Sequence, residues 1–420
     1  MMNSSTLSTP LEANPAETVA APVLMVLTHE VDAVDTAGRG PTMRAIIDAA
    51  ESCLPARPFP LRSLIEQRSY FRLAGRLFSR CVAGRPWPLQ CVLFDNRGAI
   101  QALLSAIREF APGVVYFDSV RCYSAIRTVR ARFPELRLVC DFDDLMSRRF
   151  RLVRDLKQSV NFGYIRRYLP DWLLRMLGRP AVSALVLQYE ASALGRVEAE
   201  ILSTVQCVTL VSPADAAVLR ACRTAPGQGA IIVAPPPFAT RKPVRRPDKP
   251  YRFVFIGSNT KLQNRLTIDW LLALWRTKRI RYPLHIYGQQ SGRPEPAPNV
   301  FCEGFAADLK DVYASNSLLL APAFLGGGLK TKLCEALSYG VIPLGNQIAF
   351  EAISLPENRL AMSVDQLASV VERVEDHIEL LAAEAARLQA YLADVHSLPR
   401  FQALWKTVLT GEAAESVSLS

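Results

Sequence analysis

Short, almost continuous apolar runs recur along the chain, and segments of helical periodicity separate them. In the first half the runs are Val23–Thr28, Cys91–Asp95, Val114–Asp118, Leu136–Asp141, Cys207–Ser212 and Ala230–Ala234. In the second half they are Tyr251–Gly257, Leu284–Gly288, Val300–Gly304, Ser317–Pro322 and Val341–Leu344. Runs without polar alternation are typical of strands buried on both faces of a parallel sheet. The pattern predicts an α/β protein with two doubly wound, Rossmann-like domains that face a central cleft.

A proline-rich segment separates the two series of strands. Pro235–Phe238 and Arg241–Pro250 hold too many prolines to continue a sheet or a helix. From Val364 to Leu409 the periodicity is helical, with a break at Pro399. The predicted organisation is a disordered tail at 1–21, an N-terminal domain at 22–235, a linker at 236–250, a second domain at 251–395, and a helix at 396–412 that packs back toward the N-terminal domain.

The composition indicates two buried cores and a cytoplasmic chain. Half of the 420 residues are hydrophobic, which is enough for two domains. The nine cysteines include no Cys-x-x-Cys pair, which favours reduced thiols. Residues 1–21 hold no basic residue and no long apolar run, so we expect no secretory signal. No window approaches the ~20 apolar residues that span a bilayer.

The formal net charge of +10 is concentrated in one segment. Between Leu145 and Pro180 there are nine basic and two acidic residues, with apolar residues at helical spacing between them. A basic amphipathic segment beside a tryptophan is typical of contact with an anionic membrane surface. The residues assigned to this patch are Arg148, Arg149, Arg151, Arg154 and Trp172. The alternative is a solvated helix face packed on the sheet, and no recognition motif supports nucleic acid as a partner.

The stretch from Gly326 to Glu335 combines three glycines, two lysines and one carboxylate between a predicted strand and a predicted helix. In open α/β sheets ligands bind at such strand ends. A helix N-terminus offers unpaired N–H groups, and glycine lets a phosphate approach the backbone closely. Lys330 and Lys332 oppose the helix dipole unless an anion is bound. These features predict a site for a nucleoside diphosphate.

Gly-Gly-Gly-Leu-Lys-Thr-Lys-Leu-Cys-Glu-Ala-Leu-Ser-Tyr-Gly-Val-Ile-Pro-Leu resembles the donor-binding signature of GT-B glycosyltransferases, in particular the family 4-like group (glycosyl transferases group 1). Phe253–Gly257 followed by Asn264 resembles the first strand and turn of their C-terminal domain, and Asn299–Tyr313 resembles a later strand-and-helix unit. The resemblance covers roughly residues 251–352, while the N-terminal half matches mainly in outline.

The resemblance implies that Glu335 binds the donor ribose and that the region Cys302–Phe305 meets the base. The other donor residues that it implies are Gly326, Gly327, Gly328, Lys330 and Lys332 on the diphosphate, with Gly257, Ser258 and Lys261 lining the facing turn. Many members of the group carry a second glutamate eight residues before Glu335, and this chain has Gly327 there.

Sugar transfer also needs a base for the acceptor proton at the strand ends of the N-terminal domain. The candidates are Asp143 and Asp144, after the strand that ends near Asp141, and His29, after the first strand. Crowded carboxylates hold raised pKa values, although these acids are equally suited to capping the basic helix that follows. An Asp-x-Asp motif also holds metal in GT-A glycosyltransferases. The second α/β domain argues against that alternative, so no metal is expected.

The sequence therefore predicts a metal-independent, cofactor-free glycosyltransferase. It would use a UDP- or GDP-sugar and a saccharide or polyprenyl-linked acceptor in bacterial exopolysaccharide or lipopolysaccharide synthesis, in the cytoplasm or peripherally on the inner face of the membrane. The family resemblance implies retention of anomeric configuration. Two other classes stay open: a degenerate GT-B protein that binds without turnover, and another nucleotide-sugar enzyme such as an epimerase.

Overall fold

The computed structural model describes residues 21–28, 39–64, 75, 76, 79, 87–160, 169–222, 228–292 and 297–412. The predicted tail, apart from residue 21, and the candidate base His29 lie outside these ranges. Within them the chain folds into two lobes, each built on a six-stranded parallel sheet with helices between the strands.

The first sheet has the spatial order β2-β1-β3-β4-β5-β6, and all its strand pairs are parallel. Its strands are β1 (Val23–Leu27), β2 (Ala56–Pro60), β3 (Val114–Asp118), β4 (Arg137–Asp143), β5 (Cys207–Leu210) and β6 (Ala230–Val233). The described helices of this lobe are α1 (Gly40–Glu51), α2 (Leu89–Leu93), α3 (Arg97–Phe110), α4 (Tyr123–Arg132), α5 (Met146–Asp155), α6 (Asp171–Leu177), α7 (Pro180–Thr204) and α8 (Pro213–Ala221). Every residue of β1, β3 and β5 is buried, as expected for a sheet covered on both faces.

The second sheet has the order β12-β11-β10-β7-β8-β9 and is also parallel. Its strands are β7 (Arg252–Ile256), β8 (Leu284–Tyr287), β9 (Val300–Gly304), β10 (Ser317–Leu320), β11 (Ile342–Asn346) and β12 (Ala361–Met362). The described helices that follow are α9 (Leu262–Lys278), α10 (Leu309–Val312), α11 (Thr331–Ser338), α12 (Gln347–Phe350), α13 (Val364–Glu372), α14 (Val374–Val395) and α15 (Leu398–Thr410). The winding direction reverses between β7 and β10. The turns after these two strands therefore flank the crevice in which doubly wound sheets bind ligands.

Most of the predicted strands are confirmed, one predicted strand is wrong, and two strands were not predicted. Cys91–Asp95 is not a strand, because the chain forms the short helix α2 directly after Pro88. Periodicity alone does not distinguish a short, fully buried helix from a strand. The pattern also misses β2, which contains Pro58 and Pro60 and lies at the sheet edge, where proline is tolerated. The two-residue edge strand β12 is too short to give a pattern.

Two helix termini near the crevice follow from local chemistry. Helix α8 begins at Pro213, because the Ser212 side chain accepts from the Asp215 N–H and proline suits the first turn. Helix α5 ends at Asp155, earlier than its apolar periodicity suggests, and Lys157 then takes a positive φ of 53°. Residues 161–168 of the predicted amphipathic segment lie outside the described ranges.

The last helix, α15, packs on the first lobe, although it follows the second lobe in the chain. Phe401, Trp405 and Val408 join the core formed by β1, β3 and α1. The Trp405 ring meets Tyr116 edge to face, with 5.8 Å between the ring centroids. The Arg137 guanidinium donates to the Val408 carbonyl at 3.0 Å. The two lobes are therefore joined by this helix as well as by the segment before β7.

Two further properties concern the described residues as a whole. No helix among them is both long and apolar enough to cross a bilayer. All their cysteines are free thiols, and most are partly or fully buried.

Replacing Trp405 with alanine should destabilise the first lobe by about 3–5 kcal/mol, because it empties a buried aromatic site between α15 and β3. Thermal unfolding and hydrogen exchange in β1 and β3 would measure the loss. Lys406→Ala, on the exposed face of the same helix, should change stability little. Equal effects of the two changes would contradict the packing role of α15.

Candidate functional site

The glycine turn, defined as Gly326–Gly328, connects β10 to α11 at the carboxyl edge of the second sheet. Gly327 and Gly328 adopt φ angles of +93° and +62°, which favour glycine. The Gly328 N–H donates to Asp215 Oδ2 of the first lobe at 3.1 Å. The turn therefore faces the crevice between the lobes.

The amides of the glycine turn are occupied by carboxylates rather than open. Glu351, just after α12, accepts from the Gly327 N–H, and Asp215 accepts from the Gly328 N–H. The Arg148 guanidinium from α5 holds both acids, with Nη1 at 2.6 Å from Asp215 Oδ1 and Nη2 at 2.8 Å from Glu351 Oε2. Burial lowers the pKa of Arg148, but its hydrogen bonds to Glu351 and Asp215 outweigh that effect and raise it. The turn thus binds anions, and two protein anions occupy it here.

Two lysines at the start of α11 add positive charge to the same end of the crevice. Lys330 Nζ donates to the Gly327 carbonyl at 2.6 Å and lies 3.9 Å from Glu351 Oε1. Lys332 Nζ donates to the Ile256 carbonyl at 2.9 Å. Burial lowers the pKa of Lys330. Burial, with help from neighbouring lysines, lowers the pKa of Lys332 to about 7. A bound anion would reverse this cost.

Glu335 lies one helical turn further along α11 and is half-buried. The buried Tyr313 hydroxyl donates to its Oε2 at 3.0 Å. This hydrogen bond and the Tyr313 ring, 5.2 Å from the Tyr339 ring, fix the position of the carboxylate. The carboxylate of Glu335 is therefore fixed in position next to the anion-binding end of the helix, where it can accept hydrogen bonds from hydroxyl groups of a ligand.

The facing turn follows β7 and leaves no room for side chains. A Cβ on Gly257 would lie 2.6 Å from the Asn264 side chain, which in turn donates to the Ser258 carbonyl at 3.0 Å. Lys261 stands at the N-terminus of α9. At the end of β9, the Phe305 side chain is 90% exposed beside the region where the resemblance places the base.

An acidic cluster lies at the carboxyl edge of the first sheet, where its winding direction reverses between β1 and β3. The Arg39 guanidinium contacts Asp118 at 2.6 Å, Asp141 at 2.8 Å and Asp143 at 2.7 Å. The Tyr116 hydroxyl donates to Asp141 Oδ2 at 3.1 Å. Three carboxylates thus share one arginine.

Asp143 and Asp144, the two described candidate bases, differ in surroundings. Asp143 has a positive φ of 62°, and about a third of its side chain reaches solvent. Burial in the crevice raises its pKa to about 6, against the opposing effect of Arg39 and with support from Asp144 and Asp141. Asp144 is buried and ion-paired with Arg149. The pKa of Asp143 therefore lies near neutral pH.

The structure divides the basic patch that the sequence grouped with a membrane surface. Arg148 and Arg149 turn into the crevice, because Asp215, Glu351 and Asp144 offer them buried partners. The remaining members lie elsewhere: Arg151 donates to Ser147, Arg154 pairs with Asp155, and the Trp172 side chain is exposed.

Sequence reasoning missed both Glu351 and Asp215 as residues of the site. Both acids contact the glycine turn through the fold, from 24 and 113 residues away. Among the described residues, no group of three His, Cys, Asp or Glu side chains is arranged to hold a metal ion.

No protein-family model matches the sequence, and no curated protein matches it. Solved structures are similar to it. Sucrose-phosphate synthase from Thermosynechococcus elongatus has a TM-score of 0.59 at 12% identity, covering 91% of this chain and 97% of that one. HepE from Anabaena in complex with UDP and glucose has a TM-score of 0.53 at 10% identity, covering 91% and 98%. The lipopolysaccharide outer core galactosyltransferase WaaB has a TM-score of 0.51 at 11% identity, covering 92% and 98%.

At these identities the likeness is one of fold. It extends over almost the whole chain, which contains two parallel sheets. The fold of this chain is therefore GT-B, with two Rossmann-like lobes, as the sequence resemblance implies.

Proposed function

We propose that the protein is a glycosyltransferase that takes its sugar from a nucleoside-diphosphate donor. The observation that carries the proposal is the glycine turn at the crevice, whose two N–H groups already bind carboxylates beside Lys330. Backbone donors of this kind, at the start of a helix, suit a diphosphate equally well. HepE, a protein of the same fold, has been solved with UDP and glucose, which supports the same donor class here.

In the proposed reaction the acceptor oxygen attacks the anomeric carbon from the same face that the diphosphate leaves, while the bond from that carbon to the diphosphate oxygen breaks. The glycine turn, Lys330 and Lys332 would stabilise the departing diphosphate. Glu335 would accept hydrogen bonds from the ribose hydroxyls. Asp143, whose pKa of about 6 lies near physiological pH, would assist removal of the acceptor proton. Asp144 is the second candidate, although it is buried and ion-paired with Arg149.

We further propose the finer points of the activity. The donor would be a UDP- or GDP-sugar and the acceptor a saccharide or polyprenyl-linked saccharide in bacterial surface polysaccharide synthesis. The reaction would need no metal and would retain anomeric configuration. WaaB, which shares the fold, is a lipopolysaccharide galactosyltransferase, and this supports the class of pathway.

An exposed apolar surface on the first lobe supports a membrane-bound acceptor. Helix α6 has no buried residue, and Trp172 is 62% exposed. Leu185 on α7 is 71% exposed, and Arg175 and Arg179 lie between them in the chain. Apolar side chains among arginines suit the headgroup region of an anionic bilayer. The protein would then act peripherally at the inner face of the cytoplasmic membrane.

The second candidate is a GT-B protein that binds a nucleotide or a saccharide without turnover. Two observations favour it: Gly327 stands where many family members carry a glutamate, and protein carboxylates occupy the glycine turn.

Glu335→Ala should abolish donor consumption and weaken donor binding about 100-fold or more, because it removes a charged acceptor for two hydroxyl groups. Asp143→Asn should lower kcat and leave donor affinity unchanged. A thermal-shift screen would identify the nucleotide sugar, and consumption would then be measured with saccharide and lipid-linked acceptors. Glu379→Ala, at an exposed ion pair, is the control.

Three outcomes would contradict this assignment. Donor binding without consumption would favour the binding protein. A changed nucleotide sugar released without acceptor would indicate an epimerase. Full turnover by Glu335→Ala would remove Glu335 from the site.

Affinity for a nucleotide sugar should fall on the order of tenfold between about pH 6.5 and about pH 8.5, because Lys332 loses its proton above its pKa of about 7. The bound diphosphate favours the protonated lysine. Binding below that pKa therefore needs no proton uptake, and binding above it does. Titration calorimetry in two buffers of different ionisation enthalpy would measure the affinity and the number of protons taken up. Lys332→Met should flatten the dependence, and an unchanged slope in this variant would exclude Lys332 as its cause.

Trp172→Ala and Arg175→Glu should each reduce sedimentation with anionic phospholipid vesicles at low salt, while neutral vesicles bind little in every case. Arg97→Glu, an exposed charge change elsewhere on the first lobe, is the control for net charge. Wild-type protein that ignores anionic vesicles would end the membrane proposal and leave the donor site untouched.

A further inference from the structure

Three charged side chains from three separate elements meet on the glycine turn. We call Arg148, Asp215 and Glu351 the carboxylate bracket. Arg148 donates to both acids, and the second oxygen of each acid accepts from a turn amide. Asp215 is fully buried and Glu351 nearly so, with 15% of its side chain exposed. The bracket crosses the crevice, since Arg148 and Asp215 belong to the first lobe and Glu351 to the second.

The glycines are what admit the bracket. A Cβ on Gly326 would lie 3.0 Å from Glu351 Oε1 and 3.2 Å from Arg148 Nη2. At Gly328 a Cβ would have room, and the positive φ of 62° is what favours glycine. Because the turn has no side chains, anions can lie directly against its backbone.

The bracket contains the groups that a diphosphate would use. Two carboxylate charges rest on two N–H donors, with Arg148 on one side and Lys330 on the other. A diphosphate diester also carries two charges and accepts from N–H and guanidinium donors. It cannot share the amides of Gly327 and Gly328 with the acids, because each N–H group donates one strong hydrogen bond.

Resting on the proposed function, we infer that Arg148 is a ligand of the donor diphosphate supplied by the first lobe, and that Asp215 and Glu351 hold its place until the donor arrives. Exchange of one pair of anions for another leaves no buried N–H or guanidinium donor unsatisfied. Its cost is that Asp215 and Glu351 lose these partners, and this cost lowers the affinity for the donor. Asp215 is the third residue of α8, where the helix dipole stabilises its charge in either state. The two acids are thus internal competitors of the donor.

The inference predicts effects of opposite sign at neighbouring residues. Asp215→Asn and Glu351→Gln keep shape but weaken the competitor, so each should tighten binding of UDP or GDP about tenfold, and the double variant more. Arg148→Ala should weaken binding about tenfold, both alone and in the double variant, and Arg148→Lys should lose less. Titration calorimetry would measure affinities, and thermal unfolding would confirm that each variant is folded.

Matched controls and probes separate this role from a structural one. Arg154→Ala and Asp155→Asn, an exposed ion pair on the same helix as Arg148, should leave all affinities unchanged. Uridine, which lacks phosphate, should not respond to any bracket variant, whereas inorganic pyrophosphate should respond as UDP does.

Unchanged or weaker UDP binding in the folded Asp215→Asn/Glu351→Gln protein would overturn the competition. Undiminished binding by Arg148→Ala in that background would overturn its role as a ligand. If pyrophosphate follows the predicted order but no nucleoside diphosphate binds, the exchange stands and the proposed donor falls. If neither probe binds any variant, both fall.

Discussion

The pairing of buried carboxylates with the backbone of the glycine turn is the interaction on which the crevice depends. Asp215 comes from the first lobe and Glu351 from the second, and Arg148 is hydrogen-bonded to both. Each group alone would be expensive to bury, because an unpaired charge loses its hydration. Together with two amide donors they satisfy one another. The lobes therefore meet through anions on a helix-initiating turn, which is also where the fold places its ligands.

The two sides of the crevice carry opposite charge, negative on the first lobe and positive on the second. On the first lobe, three carboxylates surround Arg39, so negative charge is in excess. Burial, with support from Asp144 and Asp141, raises the pKa of Asp143 to about 6. On the second lobe, Lys330 and Lys332 are buried near one another, and the pKa of each is lowered. A diphosphate would balance the positive charge of the two lysines on the second lobe. An acceptor hydroxyl would lie against the carboxylates of the first lobe and could give up its proton there. The division suits a reaction that leaves negative charge on one lobe and removes a proton at the other.

The sequence predicted those features that depend on neighbours along the chain. The individual strands of both series and the turn before Lys330 are each encoded within about ten residues, by apolar runs and glycine spacing. It failed where the decisive partner is distant. Arg148 has the helical spacing of a surface arginine, and only the fold shows that it faces acids 67 and 203 residues away. Cys91–Asp95 failed differently, since a short buried helix and a strand share one apolar pattern.

The same distinction explains why Gly327 is ambiguous in sequence and less so in structure. Read alone, a glycine where relatives of similar pattern carry a glutamate indicates a lost function. In the fold, the carboxylate of Glu351 reaches the N–H of that very residue from another element. A side chain at the adjacent Gly326 would meet Glu351 and Arg148 at about their present positions. The turn is therefore built for a carboxylate that comes from elsewhere, and a missing acid in a motif is weak evidence for a missing charge in a site.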